Sequence, residues 1–278
     1  MPLPHIGEIS RPLAVAVLAA FAAVSHAAAD ETPQEQLRRT GMCERCDLRL
    51  SELRALNLDK AQLSRAVLRE ADLKEAVLPG ADLRRADLRR TELERADLSG
   101  GDFTGAQMRG VDLEKAILSG ANLSEVDLRD ADLIEARLDG ARLDGSDLRG
   151  ALMIRMDARG ASFQSTKMDG ANFERANLSG ADLSGARMPN CDFDRVNAAG
   201  AYARDADFSG GHFSSADLSG ADLSGANFQD ALLRRTRLVG ADLRGATGLD
   251  QSRMVGACGD ESTKLPYGIT LPVCDDLK

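Results

Sequence analysis

The sequence predicts an all-β solenoid, a chain wound into a rod with regular corners. Three observations carry this. Large apolar residues recur every five positions, as do Leu218, Leu223 and Phe228 in ADLSGADLSGANF, residues 216–228. The register runs from Leu48 to Leu243 without a slip, through 40 units. Glycine between residues 46 and 245 falls in one slot of the unit at 18 of 20 occurrences, so that slot is a turn. A period of five suits neither regular element. A helix would scatter these residues around its axis, and a strand would throw them to alternate sides.

The unit resolves the mismatch. Its centre is Leu at 26 positions, Phe at 7, Met at 4 and Ala at 3, namely Ala158, Ala198 and Ala203. The residue two before the centre is Ala at 26 of 40, with Leu56 and Met156 the bulky exceptions. None of these 80 positions carries a charge in a chain that is 28% charged, so both share a dry interior. A spacing of two makes that stretch extended, with both side chains facing one way. Two corner residues follow. Pro79 and Pro189 occupy the first corner slot and glycine favours the second. Each bend restores the inward direction that an odd period would lose.

The units ADLSG, ANLSG, ADLRR and ANFER resemble the pentapeptide-repeat family, over residues 46–245. The resemblance implies a right-handed quadrilateral β-helix with four units per coil and about ten coils. At ~4.8 Å between stacked strands the rod would be about 48 Å long. Residues twenty apart would then stack. Phe173, Phe193 and Phe213 would form one interior ladder, with Phe208 under Phe228 and Ala198 and Ala203 compensating their volume. The family interior is filled by side chains, so this ladder is expected to be core and not a ligand channel.

The ends differ from the rod. Arg11 precedes the apolar run PLAVAVLAAFAAV, residues 12–24, which is too short to span a bilayer, and small residues follow. Residues 1–29 are read as a secretory signal peptide cleaved after Ala27 or Ala29. Residues 30–45 are expected to form a helical cap, with Thr32 as N-cap, Pro33 at the first position, Glu35 completing a capping box and Gly41 as the stop. The β-helix is assigned to 46–247 and a C-terminal cap to 248–278. A second short helix is expected from about Leu249, with Thr247 and Asp250 in capping-box spacing. The tail GDESTKLPYGITLPVC resembles one found after the repeats in some exported members of the family. Disordered ends would leave Leu265, Ile269 and Leu271 in solvent.

Of five cysteines, Cys191 sits in an inward slot and reads as a small buried hydrophobe. Cys258 and Cys274 flank a loop in the tail, and in an oxidising compartment a disulfide would pin it. Cys43 and Cys46 form a lone C-x-x-C with three readings: a structural disulfide, a redox pair, or half of a metal site. The first is preferred. The βαβ setting of thiol redox proteins is not visible, and no second pair of zinc ligands stands out.

Little points to catalysis. His5 and His26 lie in the signal region, which leaves His212 at an outward slot without a visible nucleophile partner. No phosphate loop or dinucleotide fingerprint occurs. No catalytic residue, metal or cofactor is assigned. The net charge of −9 argues against electrostatic binding to nucleic acid or anionic lipid. No face of the inferred rod is a strong acidic stripe, which weighs against the gyrase-binding DNA mimicry of some family members. One departure from the polar exterior is a possible partner patch: Ile134, Leu152 and Ile154, on adjacent coils of one face. The expected protein is therefore a non-enzymatic module for rigid interaction or structure. It would act in the bacterial periplasm or outside the cell, as a monomer or weak homodimer with an unidentified protein partner and no membrane insertion after cleavage. The alternatives are a gyrase-binding DNA mimic and a thiol redox protein using Cys43 and Cys46.

Overall fold

Every second corner residue from Leu50 to Gly245 adopts the left-handed conformation, with φ from +52° at Ala55 to +73° at Gly245. Its neighbour in the first corner slot does not. Positive φ at the third of four turn residues is the signature of a type II turn. More than half of these residues are not glycine, and each carries a left-handed penalty of roughly 1–2 kcal/mol. The computed structural model describes residues 31–274; the expected signal peptide lies outside the described residues.

Stacking repays that penalty. Parallel bridges join each unit to the one twenty residues on, from Met42↔Gln62 to Asn227↔Thr247, so four units make one coil. The bridge is a single residue per side, and no side is long enough to be a continuous strand. The unit around Leu128 shows where the N–H groups go. Asp127 N–H donates to Ala106 O at 3.2 Å, Leu128 to Asp147 O at 2.8 Å and Asp130 to Arg149 O at 3.1 Å. Ala131 N–H closes the turn on Leu128 O at 3.1 Å. The fifth N–H, on Arg129, has no backbone partner and donates to the Asp127 carboxylate at 3.3 Å.

That bond explains the Asp or Asn before the centre. The same side-chain acceptor serves Asp72, Asp97, Asn122, Asn177, Asp182 and Asp217. Where the slot holds Ser162 or His212, the orphaned N–H groups of Gln164 and Ser214 turn to Asp144 and Asp194 of the preceding coil. These acids are thus part of the backbone bonding. Several also take a guanidinium fork from the residue two on, as Asp127 does from Arg129 and Asp147 from Arg149. Those hydrogen bonds hold both carboxyls below their usual range.

Inside, Phe173, Phe193 and Phe213 stack in one column with centroids 5.1 and 4.6 Å apart, and Phe208 and Phe228 in the next at 5.3 Å. The columns meet edge to face, at 5.4 Å between Phe208 and Phe213. Ala198 and Ala203 lie across the coil from these rings, and only about 10 Å³ of space remains between them. The one dimension left to adjust is side-chain size. Gly211 precedes Phe213 because a Cβ there would lie 2.9 Å from the ring. Met156 fills the small slot where the centre is Ala158. Buried hydroxyls find carbonyls: Thr91, Ser146 and Thr236 donate to Leu68, Leu123 and Phe213 of the preceding coil. The Cys191 thiol does the same to Met168 O at 2.9 Å, and burial pushes its pKa up to about 12.

The helix α1, Pro33–Thr40, covers the first coil with Leu37 buried. Arg38 donates to Glu52 O at 2.8 Å and Gln36 to Met42 O at 3.1 Å, carbonyls that have no coil beneath them. The coil starts one unit before the expected boundary. Gly41–Arg45 already bridges the next coil, and Cys43 is the centre of that unit. At the other end the expected second helix is a single 3₁₀ turn, Gln251–Arg253, capped by Asp250 and not by Thr247. Thr247 is instead a bridge residue. The segment must keep supplying carbonyls to the coil below, as Arg253, Cys258 and Lys264 do to Leu233, Leu238 and Leu243, and a longer helix would consume them. The register widens there, with Arg237 opposite Cys258 and Asp242 opposite Lys264. Gly248 begins that shift, 2.3 Å from Gln229 N at its Cβ position, where no side chain fits. Leu265, Ile269 and Leu271 then pack on the end of the core.

Three outcomes follow from this bonding. Leu178→Asp buries an unpaired carboxylate and should unfold several coils, so a circular dichroism melt matching the parent would refute the interior placement. Asp182→Asn keeps an acceptor for Ser184 N–H and should melt within a degree or two of the parent. Asp182→Ala should lose about 1 kcal/mol, and equal melting of the two variants would remove the role given to that bond. The depressed pKa values of Asp127 and Asp147 mean stability present above the ordinary carboxylate pKa and lost as pH falls through the lowered folded values. Denaturant midpoints should therefore hold near neutrality and fall only in acid, below about pH 4, and a loss between pH 7 and 5 would contradict it.

Candidate interaction face

The outward slots carry no packing duty, so departures from their polar pattern mark candidate sites. Leu152 occupies the slot of the Asp or Asn acceptor, bridged to Asp132 on one side and Asn172 on the other. Both neighbours use their side chains as acceptors, Asp132 for Ile134 N–H at 2.9 Å and Asn172 for Glu174 N–H at 2.8 Å. Leu152 offers no such acceptor and presents an apolar side chain that is 41% exposed. Ile134 and Ile154, two residues on in successive coils, are half-buried. The three sequence-selected residues are brought together, but the solvent-facing part is chiefly Leu152. The isoleucines lie along the corner and lose surface to their stacked neighbours.

The patch has a charged rim. Arg155 pairs with Glu135 at 3.3 Å on the adjoining corner. Below lie Glu114, paired with Lys115, and above lies Glu174, within 3.5 Å of Arg175 and Arg195. Asp132, beside the apolar group, has its carboxyl pushed above the usual value by burial, then by the nearby Asp112 and Glu114 charges. An apolar centre inside a ring of ion pairs is the anatomy of a small protein contact. Leu232 shares the face but lies four coils further along and half-buried.

Other sequence-selected residues play different parts. Cys43 and Cys46 are joined in a disulfide across the first corner, Cα atoms 5.3 Å apart, with Cys43 fully buried under α1. Cys258 and Cys274 are joined across the folded-back tail, Cα atoms 4.8 Å apart, beside the bond from Cys274 N–H to Gly259 O. Among the described residues no group of His, Cys, Asp and Glu is placed to hold a metal. His212 stands exposed between Asp192 and Leu232. Spacing alone did not single out the column of unpaired arginines on another edge, Arg45, Arg65 and Arg85. The signal was present as like charge at intervals of twenty.

The family described as pentapeptide repeats matches in eight copies, over residues 66–105, 106–145, 136–175, 176–214 and 212–247. Among solved structures, HetL of the cyanobacterium Nostoc sp. strain PCC 7120, a pentapeptide repeat protein involved in heterocyst differentiation regulation, is 33% identical, with 77% of this chain and 87% of HetL covered and a TM-score of 0.29. QnrB1, a plasmid-mediated fluoroquinolone resistance protein, is 24% identical over 66% of this chain and 90% of its own, with a TM-score of 0.35. A pentapeptide repeat protein of the Arabidopsis thaliana thylakoid lumen is 33% identical over 33% of this chain and 60% of its own, with a TM-score of 0.27. No curated protein sequence matches the chain. With the repeat matched over most of its length and four units to each coil, the chain belongs to the pentapeptide-repeat family, whose fold is the right-handed quadrilateral β-helix.

Proposed function

We propose that the protein is a non-enzymatic, exported repeat protein that serves as a rigid interaction module and engages a protein partner through Ile134, Leu152 and Ile154. One observation carries this reading. Leu152 gives up the acceptor that its stacked neighbours supply to the backbone and puts apolar surface in its place. Stability gains nothing from that exchange, so its use lies at the surface. The filled interior supports the same reading, because the space of about 10 Å³ left beside the Phe columns is too small for any ligand. Export is supported by two disulfides, which persist in oxidising compartments, together with the signal-like segment of residues 1–29.

The test is photo-crosslinking in cells with the probe at Ile154 and a control at Gln229, an exposed residue on another face. A discrete adduct at Ile154 only, lost when Leu152→Asp is added, is expected. Leu152→Asp restores the acceptor and should melt at or slightly above the parent temperature, so loss of the adduct cannot be put down to unfolding. Equal adducts at both sites, or none at Ile154, would overturn the assignment.

A further inference from the structure

Arg45, Arg65 and Arg85 occupy the second corner slot of three successive coils on one edge. The backbone fixes their stacking: Arg45 N–H donates to Ser64 O at 3.0 Å, Arg65 to Arg84 O at 2.9 Å and Arg85 to Thr104 O at 3.0 Å. Three like charges thus stand at the coil rise of ~4.8 Å, all exposed. None of their guanidinium groups makes an ion pair or side-chain hydrogen bond among the described residues. Elsewhere five arginines in the same slot are matched, and Arg235, which is not, has no arginine stacked on it. Arg90 pairs with Glu70, Arg95 with Glu94, Arg155 with Glu135, and Arg175 and Arg195 with Glu174. The left-handed turn does not require arginine, since many residue types and glycine hold it here.

Beside the column runs a groove of about 570 Å³, lined by the three arginines with Glu44, Ser64, Arg84 and Thr104. Arg84 is engaged by Asp82 and the Thr104 hydroxyl donates to Asp102 at 2.6 Å, so the free donors are the three guanidinium forks and the hydroxyl group of Ser64. Glu44 is the single acid of the lining and sits at its lower end. The net charge of −9 describes the whole molecule and hides this local excess of positive charge. Planar forks suit oxyanions, which they hold by two parallel bonds, and the Ser64 hydroxyl adds a further donor. A single anion would engage two arginines at most, whereas a chain of anions would engage all three.

We propose that this edge is a binding site for an extended chain of phosphate groups, held by Arg45, Arg65 and Arg85 with Ser64. The site lies on a different edge from the apolar patch and stands or falls apart from it. The test is fluorescence anisotropy of the full mature chain with labelled inorganic polyphosphate at low salt, with orthophosphate and polyglutamate as competitors. Polyphosphate is expected to bind, and orthophosphate at the same phosphate concentration to compete poorly. An Arg65→Gln, Arg85→Gln double variant should bind at least tenfold more weakly and lower the slope of log K against log salt by about 1 to 2. It should melt as the parent does, because the backbone bonds of both residues remain. An Arg175→Gln, Arg195→Gln control, which removes the same charge from a matched edge, should leave binding within twofold. No binding by the parent, or equal loss in both double variants, would overturn the proposal. Polyglutamate competing as well as polyphosphate would overturn the phosphate assignment and make the edge a site for acidic peptide.

Discussion

A chain that turns a corner every five residues must hold one residue per unit in the left-handed region, and the structure depends on that constraint. The constraint recurs in every unit; glycine meets it without strain, whereas arginine, glutamate and alanine carry the penalty. An isolated unit would not sustain it. The parallel coil does, because each turn aims its N–H and C=O groups at the coils above and below. One N–H per unit is left over, and the Asp or Asn before the centre receives it. Small residue, acceptor, large apolar residue and two corner residues are thus five answers to one bonding problem.

The same constraint sets the interior. Because the backbone ladder fixes the cross-section, a large side chain can be accommodated only by a small one nearby. Phe193, Phe208 and Phe213 face Ala198 and Ala203, Gly211 clears the ring of Phe213, and Met156 fills beside Ala158. Local volume exchange of this kind keeps packing dense while the axial repeat stays constant. The two ends obey the bonding rule as well. The α1 helix supplies donors to carbonyls of the first coil, and the C-terminal segment supplies carbonyls to N–H groups of the last, each tied by a disulfide nearby.

With stability lodged in the backbone and the inward slots, the outward slots can vary at small cost. Each outward column is a ruler with a mark at every coil, and what stands on the marks decides what the rod can meet. On one face the marks carry Ile134 and Ile154 beside Leu152, within a charged rim. On another edge they carry Arg45, Arg65 and Arg85 without matching acids. The two surfaces use different physics, one apolar contact and the other charge and directed hydrogen bonds, on a scaffold that has no need of either.

The repeat register, the dry inward pair, the turn slot and the α1 boundaries were legible in the sequence, because each follows from spacing, polarity or capping chemistry within a few residues. That Ile134, Leu152 and Ile154 break an outward polar pattern was legible too. Their unequal exposure was not, because it depends on which neighbours stack above and below. Nor could the residue types show that Asp127 and Asp182 complete the backbone bonding, since an outward acid reads as solvated until the turn geometry places an N–H against it. The C-terminal segment misled for the same kind of reason. Its local signals favoured a helix, but the coil beneath demanded its carbonyls, and a long-range bond outranked a local preference. By itself the sequence determined the repeating unit, since five residues suffice to define it. Only the tertiary structure decided which side chains share an edge, because residues twenty apart meet only once the coil has closed.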